Sequence, residues 1–224
     1  LNFKKPKEIL FSIVKNKNLY NLLNKSLENS KNFKKIIIKD KYFYKKISTN
    51  TNYDFIINCD ANNEISKRYF HKKIIKNYHS TAYATIINHN KIENKTAMQI
   101  FTQYGPLAFL PISKNQTSIV YSIKNQSIKN NLKLAQKEFE QLIFLNNKKY
   151  KINSINKIET FIIKSKTLRN YYNKNILAFG DMLHQLHPLS GQGFNMTLRD
   201  IKIFLTLLRE KENLGIPIDY SILK

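Results

Sequence analysis

Asp181 closes the run Asn175-Ile176-Leu177-Ala178-Phe179-Gly180-Asp181, and Gly191-Gln192-Gly193-Phe194-Asn195 follows soon after it. A continuous apolar run suits a strand covered on both faces, as in a parallel sheet. In open α/β sheets ligands bind beyond the carboxyl ends of the strands. A carboxylate at that end can accept hydrogen bonds from sugar or ribityl hydroxyls. Gly191 and Gly193 lack the Cβ that would hold a ligand away from the backbone. The helix predicted after them offers unpaired N–H groups and the positive end of its dipole, a place for an anion.

Other residues could also do chemistry. Asp60 ends a second, mostly apolar run, Tyr53-Asp54-Phe55-Ile56-Ile57-Asn58-Cys59-Asp60; it reads equally as a ligand-facing carboxylate or a simple turn residue. His184 and His187 are spaced like a metal pair on a helix. No third ligand is evident and Pro188 follows at once, so no metal is assigned and His187 is expected to order the loop. Cys59, in an apolar strand, reads as a buried small hydrophobe.

Several elements must position these residues. Residues 6–28 place Leu10, Ile13, Val14, Leu19, Leu22, Leu23 and Leu27 on one helical face, with a break over Lys15 to Asn18. Residues 34–39 and 41–47 read as two short strands, a hairpin across Asp40. From Ser80 to Ile123 strands dominate, over 83–87, 97–101, 107–112 and 118–123, the last with Ile119, Tyr121 and Ile123 on one side. This predicts a largely antiparallel sheet. Ile128, Leu132, Ala135, Phe139 and Leu142 mark an amphipathic helix, and 160–165 a further strand. Beyond the glycine loop, Phe194, Leu198, Ile201, Leu205 and Leu208 form an apolar helix face expected to pack into the core. Arg199, Lys202, Thr206 and Arg209 line its other side.

The 224 residues carry 38 Lys plus Arg against 15 Asp plus Glu, a net charge of +23. Of the basic residues 34 are Lys; with 29 Asn and 31 Ile they make up 94 residues, all encoded by A/T-rich codons. Codon usage therefore accounts for the charge better than an anionic partner does, because the Lys is scattered and nucleic-acid sites favour the Arg fork. A basic nucleic-acid-binding module stands as the alternative, and it predicts a lysine stripe and steeply salt-dependent binding. Cys59 is the only cysteine, so an internal disulfide is excluded and a reducing compartment is expected. Apolar runs such as 106–112 fall far short of the roughly 18 to 20 residues of a membrane span. Among the five glycines no three fit a dinucleotide fingerprint or a P-loop. Together with Leu1 in place of an initiator Met, this suggests an internal piece of a longer protein.

Gly180-Asp181, His187-Pro188, Gly191-Gln192-Gly193-Phe194-Asn195 and Leu198-Arg199-Asp200 resemble the second flavin-binding motif of aromatic-ring hydroxylases. The best likeness is to the 2-polyprenyl phenol hydroxylases of ubiquinone biosynthesis. Thr96-Ala97-Met98-Gln99-Ile100-Phe101, Gly105-Pro106-Leu107-Ala108-Phe109-Leu110-Pro111 and Ser118-Ile119-Val120-Tyr121-Ser122 are similar to the substrate-sheet signature of that subfamily. The resemblance covers residues 53–212 and implies an α/β (mixed α+β) chain. In it a partial Rossmann-like FAD-binding domain, 1–72 and 167–224, is interleaved with a largely antiparallel substrate-domain sheet, 73–166.

The activity so implied is FAD-dependent hydroxylation of a polyprenylated phenol with NAD(P)H and dioxygen, the chain by itself being inactive. A prenyl reductase or a halogenase is the related alternative. The resemblance assigns cofactor binding to Asp60, Gly180, Asp181, His187, Pro188, Gly191, Gln192, Gly193, Phe194 and Asn195. Asp181 would hold the ribityl or ribose hydroxyls, the 191–195 backbone the negative charge of reduced flavin, and Pro188 would lie beside the ring. No catalytic acid or base is assigned. The family's middle motif, Asp-Gly, two residues, Ser, two residues, Arg, aligns with Asp60 to Lys67, where Ala61, Glu64 and Lys67 replace Gly, Ser and Arg. The family uses that stretch around the flavin pyrophosphate and NAD(P)H. The expected partner is a small polyprenyl phenol and no nucleic acid. The expected location is cytoplasmic, with a peripheral contact at an anionic inner membrane surface.

Overall fold

Gln116–Lys124 forms a strand in which Thr117, Ile119, Tyr121 and Ile123 are buried and the residues between them are half-buried, the period of two expected of a pleated strand with one face on a core. It belongs to a computed structural model that describes residues 11–38, 40–49, 53–125, 136–185 and 192–223. The chain divides into two compact units, Leu1–Ile36 with His79–Ile162 and Ile37–Tyr78 with Ile163–Lys224. The first unit thus takes in the N-terminal helix, which the sequence reading grouped with 1–72.

The helix α1, Asn16–Glu28, occupies only the second half of the predicted 6–28 span. Residues 11–15 are not helical, and 6–10 lie outside the described residues. None of its residues is buried, and Leu22, Leu23 and Leu27 are exposed. The antiparallel sheet forms as expected, most of it in the first unit. Its strands are β2 (Lys73–His89), β3 (Met98–Thr102), β4 (Gly105–Ser113), β5 (Gln116–Lys124) and β6 (Ile152–Ile155), and β3-β4-β5-β2 lie in that order, with β6 also on β2. Across three strands the register aligns Leu107, Tyr121 and Tyr83, and Phe109, Ile119 and Thr85. Helix α4, Gln136–Asn146, lays Phe139 and Ile143, four residues apart, on this face. The Tyr121 ring stacks on Phe139 at 6.1 Å. Residues 128 and 132 of the predicted helix lie outside the described residues, as does 135.

A polar chain is sealed into the same unit. The Tyr150 hydroxyl donates to Asn94 Oδ1 (3.0 Å), and Asn94 Nδ2 donates to the fully buried Thr117 Oγ1 (2.9 Å). Thr117 Oγ1 lies 2.9 Å from His89 Nε2, and His89 Nδ1 lies 2.9 Å from the Asn90 carbonyl. The Asn90 carbonyl can only accept, so Nδ1 carries the imidazole proton, and Nε2 of the neutral ring accepts from the Thr117 hydroxyl.

In the second unit the hairpin predicted across Asp40 is replaced by a helix, α2, Lys41–Thr49. The tyrosine-rich stretch has strand propensity, but Asp40 Oδ1 accepts the Tyr42 N–H (3.0 Å) and its carbonyl accepts the Phe43 N–H (3.2 Å), which starts a helical turn. Residues 34–38 are not strand. Strand β1, Ile56–Asn58, pairs in parallel with β9, Ile176–Ala178, and β8, Tyr172–Asn173, flanks β9 antiparallel. Helix α3, Glu64–Tyr69, follows β1. Strand β7, Glu159–Leu168, runs from the first unit into the second, where β10, His184–Gln185, pairs with it. The core here is Ile65, Phe70, Leu168, Ile176, Ala178 and Met182.

The long helix α5, Gln192–Asn213, corrects one expectation. Phe194, Leu198, Ile201 and Leu205, predicted to be core, are exposed. The less exposed line runs instead through Thr197, Asp200, Phe204 and Leu208. Phe204 meets Phe55 edge-on at 6.0 Å and Phe179 at 6.1 Å. The helix is apolar on more than one side, with Ile203 and Leu207 also exposed, so periodicity alone did not select the buried line.

Candidate functional site

Asn58 and Ala178 face each other in the parallel pair β1 and β9, so the chain leaves both strands at the same end. From β9 it enters a tight 3-10 turn, Gly180–Met182. Gly180 is at φ +65°, a conformation that favours glycine, and the Leu183 N–H closes on its carbonyl at 2.9 Å. The Phe179 N–H donates to the Asn58 carbonyl (3.0 Å), which extends the pairing by one step. From β1 the chain passes Cys59 and Asp60 and enters α3. Asp60 Oδ1 accepts the Asn62 N–H at 2.8 Å, and Asn63 caps the helix by accepting the Ser66 N–H at 2.9 Å.

The two turns are joined from beneath by buried polar groups. Asn58, 5 % exposed, donates to Ser66 Oγ at 2.8 Å and lies 3.2 Å from Met182 Sδ. Asn63 Nδ2 donates to Asn58 Oδ1 at 2.6 Å. The Ser66 hydroxyl donates to the Asp60 carbonyl, and its oxygen is 3.3 Å from Met182 Sδ. Asn58, Asn63, Ser66 and Met182 were missed by sequence reasoning. The three-residue spacing of Asn63 and Ser66 is a capping signal that could have found two of them; nothing in the sequence marks Met182.

Asp60 and Asp181 are both exposed, one beyond the end of each parallel strand. Gln192 begins α5, no acidic residue occupies its first turn, and a Cβ on Gly193 would meet nothing within 4 Å. Phe194 and Asn195 are exposed in that turn. The α5 first turns reach the Gly180 turn, where Thr197 Cγ2 lies 3.9 Å from the position of a Gly180 Cβ. His187, Pro188 and Gly191 lie outside the described residues. Cys59 is exposed rather than buried, although partial enclosure pushes its thiol pKa up by desolvation. No cluster of His, Cys, Asp or Glu able to hold a metal occurs among the described residues.

Chemically, this end of the sheet presents two carboxylates that accept hydrogen bonds and a helix start with no acidic residue in its first turn. Open space lies over Gly193. That donor set fits a ligand with a hydroxyl-bearing chain and an anionic portion, as a flavin has.

The squalene epoxidase family profile matches residues 54–218. Ubiquinone hydroxylase UbiL of Rhodospirillum rubrum is 24% identical over 142 residues, covering 62% of this chain and 33% of its own length. The zebrafish mitochondrial ubiquinone biosynthesis monooxygenase COQ6 is 23% identical over 192 residues, covering 69% of this chain and 40% of its own length. The chain thus spans 33% to 40% of the length of these relatives. Among solved structures, BrvH, a flavin-dependent halogenase from Brevundimonas, aligns with a TM-score of 0.53 at 10% identity, over 69% of this chain and 31% of that one, a likeness of fold. With the profile running from just before β1 through α5 and taking in both turns of the site, the chain belongs to the squalene epoxidase family of flavin-dependent monooxygenases.

Proposed function

We propose that this chain is part of an FAD-dependent monooxygenase that hydroxylates a polyprenylated phenol ring in ubiquinone biosynthesis. NAD(P)H supplies the electrons, one atom of dioxygen enters the ring as hydroxyl and the other leaves as water. The observation that carries this reading is the pair of joined turns beyond β1 and β9, with exposed Asp60 and Asp181 and an open helix start, inside a matched monooxygenase family. The flavin, when bound, supplies the activation of dioxygen. Asp181 accepts hydrogen bonds from its hydroxyls, Asp60 contributes at the neighbouring turn, and the Gly193 to Asn195 backbone holds negative charge at the start of α5. His187, Pro188, Gly191 and Gln192 are assigned to the same site by the resemblance.

The substrate is assigned to the sheet face opposite α4. There Ala84, Val120 and Ala108 align across three strands and are half-buried, small enough to leave room for an apolar ring and chain. No helix among the described residues is long and apolar enough to cross a membrane. A peripheral contact at an anionic membrane, where a polyprenyl substrate resides, suits the +23 charge. The names of the curated relatives favour hydroxylation over halogenation.

The test is Asp181→Ala in the enzyme that contains this chain. The exposed side chain makes the fold indifferent to the change, so the expected result is a folded protein that has lost bound flavin, read as flavin absorbance per polypeptide. Retention of stoichiometric flavin with unaltered hydroxylation would overturn the assignment.

A further inference from the structure

Strand β3 ends its side of the sheet, and among the described residues no strand lies beyond it. Met98 and Ile100 pack against the core of the first unit, so the strand is fixed in place. Gln99 and Phe101 project from its other face and are exposed, Phe101 by 80 %. Bonded and non-bonded positions alternate along an antiparallel pair. The two-residue turn makes Thr102 and Gly105 a bonded pair, so Ile100 and Met98 spend their N–H and C=O groups on β4. Gln99 and Phe101 therefore turn theirs outward. An open edge of this kind is a template for another chain, and proteins ordinarily blunt it with lysine, proline or a bulge. β3 has none of these: its register with β4 is unbroken from Met98 to Thr102, and residues 96–113 carry no charge, although the chain has 34 Lys.

We infer that β3 is the contact between two copies of this chain, paired antiparallel about a two-fold axis at Ile100. The strand is complementary to itself. Under that axis Gln99 of one copy meets Phe101 of the other, and these are the two residues with outward groups, so each N–H finds a C=O. Ile100 meets its own counterpart at a non-bonded position, where facing side chains come closest. Charge selects the same occupant. Two copies at +23 repel each other unless they meet across a surface without cations, and β3 with its turn is such a surface. An acidic partner or an anionic membrane would gain nothing from an uncharged edge. A five-residue pairing rimmed by the exposed Tyr104 falls at the small end of protein interfaces, so monomer and dimer exchange with concentration. No residue of the Asp181 site takes part, and the inference stands apart from the monooxygenase reading.

The experiment is light scattering on the chain over a range of concentrations. The mass is expected to rise from 26.5 kDa toward twice that value. Gln99→Lys with Phe101→Lys sets like charges opposite each other across the axis without touching the core. It should weaken the dimer at least about tenfold while leaving the melting temperature in place. Gln99→Glu with Phe101→Glu should do the same. Mixed in equal amounts, the two double variants bring each introduced lysine opposite an introduced glutamate, and the dimer should return. A native chain that stays at 26.5 kDa at every concentration would leave the edge to a different occupant and overturn the inference. So would dimerisation of either double variant as strong as that of the native chain. A mixture that remains monomeric would overturn it as well, because the register about Ile100 requires the recovery.

Discussion

Gly105 opens β4 opposite Thr102 at the turn from β3, with φ +150°. A Cβ at Gly105 would lie 1.9 Å from the backbone oxygen of Ser122 and 3.1 Å from its carbonyl carbon. The obstacle is main chain of a paired strand, not the end of a flexible side chain, so Gly105→Ala must push β4 away from β5. The displacement falls next to the Leu107–Tyr121 pair, both fully buried. It also strains the hydrogen bond from Thr102 Oγ1 to the Gly105 carbonyl (2.8 Å) and the contact of the same hydroxyl with Tyr121 OH (3.0 Å). Overpacking costs about 1–3 kcal/mol and a residue held in a sparsely populated backbone region a further 1–3, roughly. The sum is a large part of a typical stability of about 5–15 kcal/mol. Urea unfolding followed by tyrosine emission reads the loss, since the chain has 13 Tyr and no Trp. Gly215→Ala is the control: φ is +65° there, but nothing lies within 4 Å of its Cβ, leaving a strain of only about 1–2 kcal/mol. If both variants lose the same stability, the clash with Ser122 plays no part and the reasoning fails.

Two further outcomes follow from the same unit. Thr117→Val preserves shape but leaves His89 Nε2 without its partner, a loss of about 1–3 kcal/mol, while Asn94 Nδ2 keeps the Ser113 and Gln116 carbonyls; Thr117→Ser keeps the hydroxyl and most of the stability, and equal losses in the two variants would show that the hydroxyl contributes nothing. Burial raises the Tyr121 phenol above the ordinary value of 10.0, so the folded state favours the neutral form. Its contribution is therefore complete below pH 10 and falls as pH rises from there through the folded value. Unfolding midpoints measured against pH should show a steeper alkaline decline in the native chain than in Tyr121→Phe, and parallel curves would refute the assignment.

The sheet was legible because its residues obey a short rule. Ile119, Tyr121 and Ile123 alternate, and the strand buries that side. The parallel strand before Asp181 was legible for a related reason, an unbroken apolar run between covered faces. Where two signals competed, tertiary context decided. Tyr42 to Ile47 has strand propensity, yet Asp40 supplies the first turn of a helix. In α5 the apolar residues occupy neighbouring lines, and the contact of Phe204 with Phe55 and Phe179 selects one of them. Of the site, the carboxylates and glycines were visible as types, but the joint between the turns was not. It depends on Met182 meeting Asn58 and Ser66, residues more than a hundred positions away, and no local pattern encodes that meeting.

The altered middle motif becomes coherent once its residues are placed. Ala61 is not among the residues at positive φ, so this turn does not require the glycine that the resemblance leads one to expect. Asp60 accepts from Asn62, and Asn63 caps α3, so the turn is held by side chains. Glu64 and Lys67, the two other replacements, pair with each other across one helical turn at 2.9 Å. An exposed pair of this kind is worth under about 1 kcal/mol, so its consequence is one of charge rather than stability. The cation at position 67 is engaged by a carboxylate of its own helix. Arg68, one residue further round, lies 5.3 Å from the Tyr69 ring centroid and is free of that pair. Breaking the pair with Glu64→Ser should accordingly cost under about 1 kcal/mol in urea unfolding, and a larger loss would show that Glu64 does more for α3 than pair with Lys67.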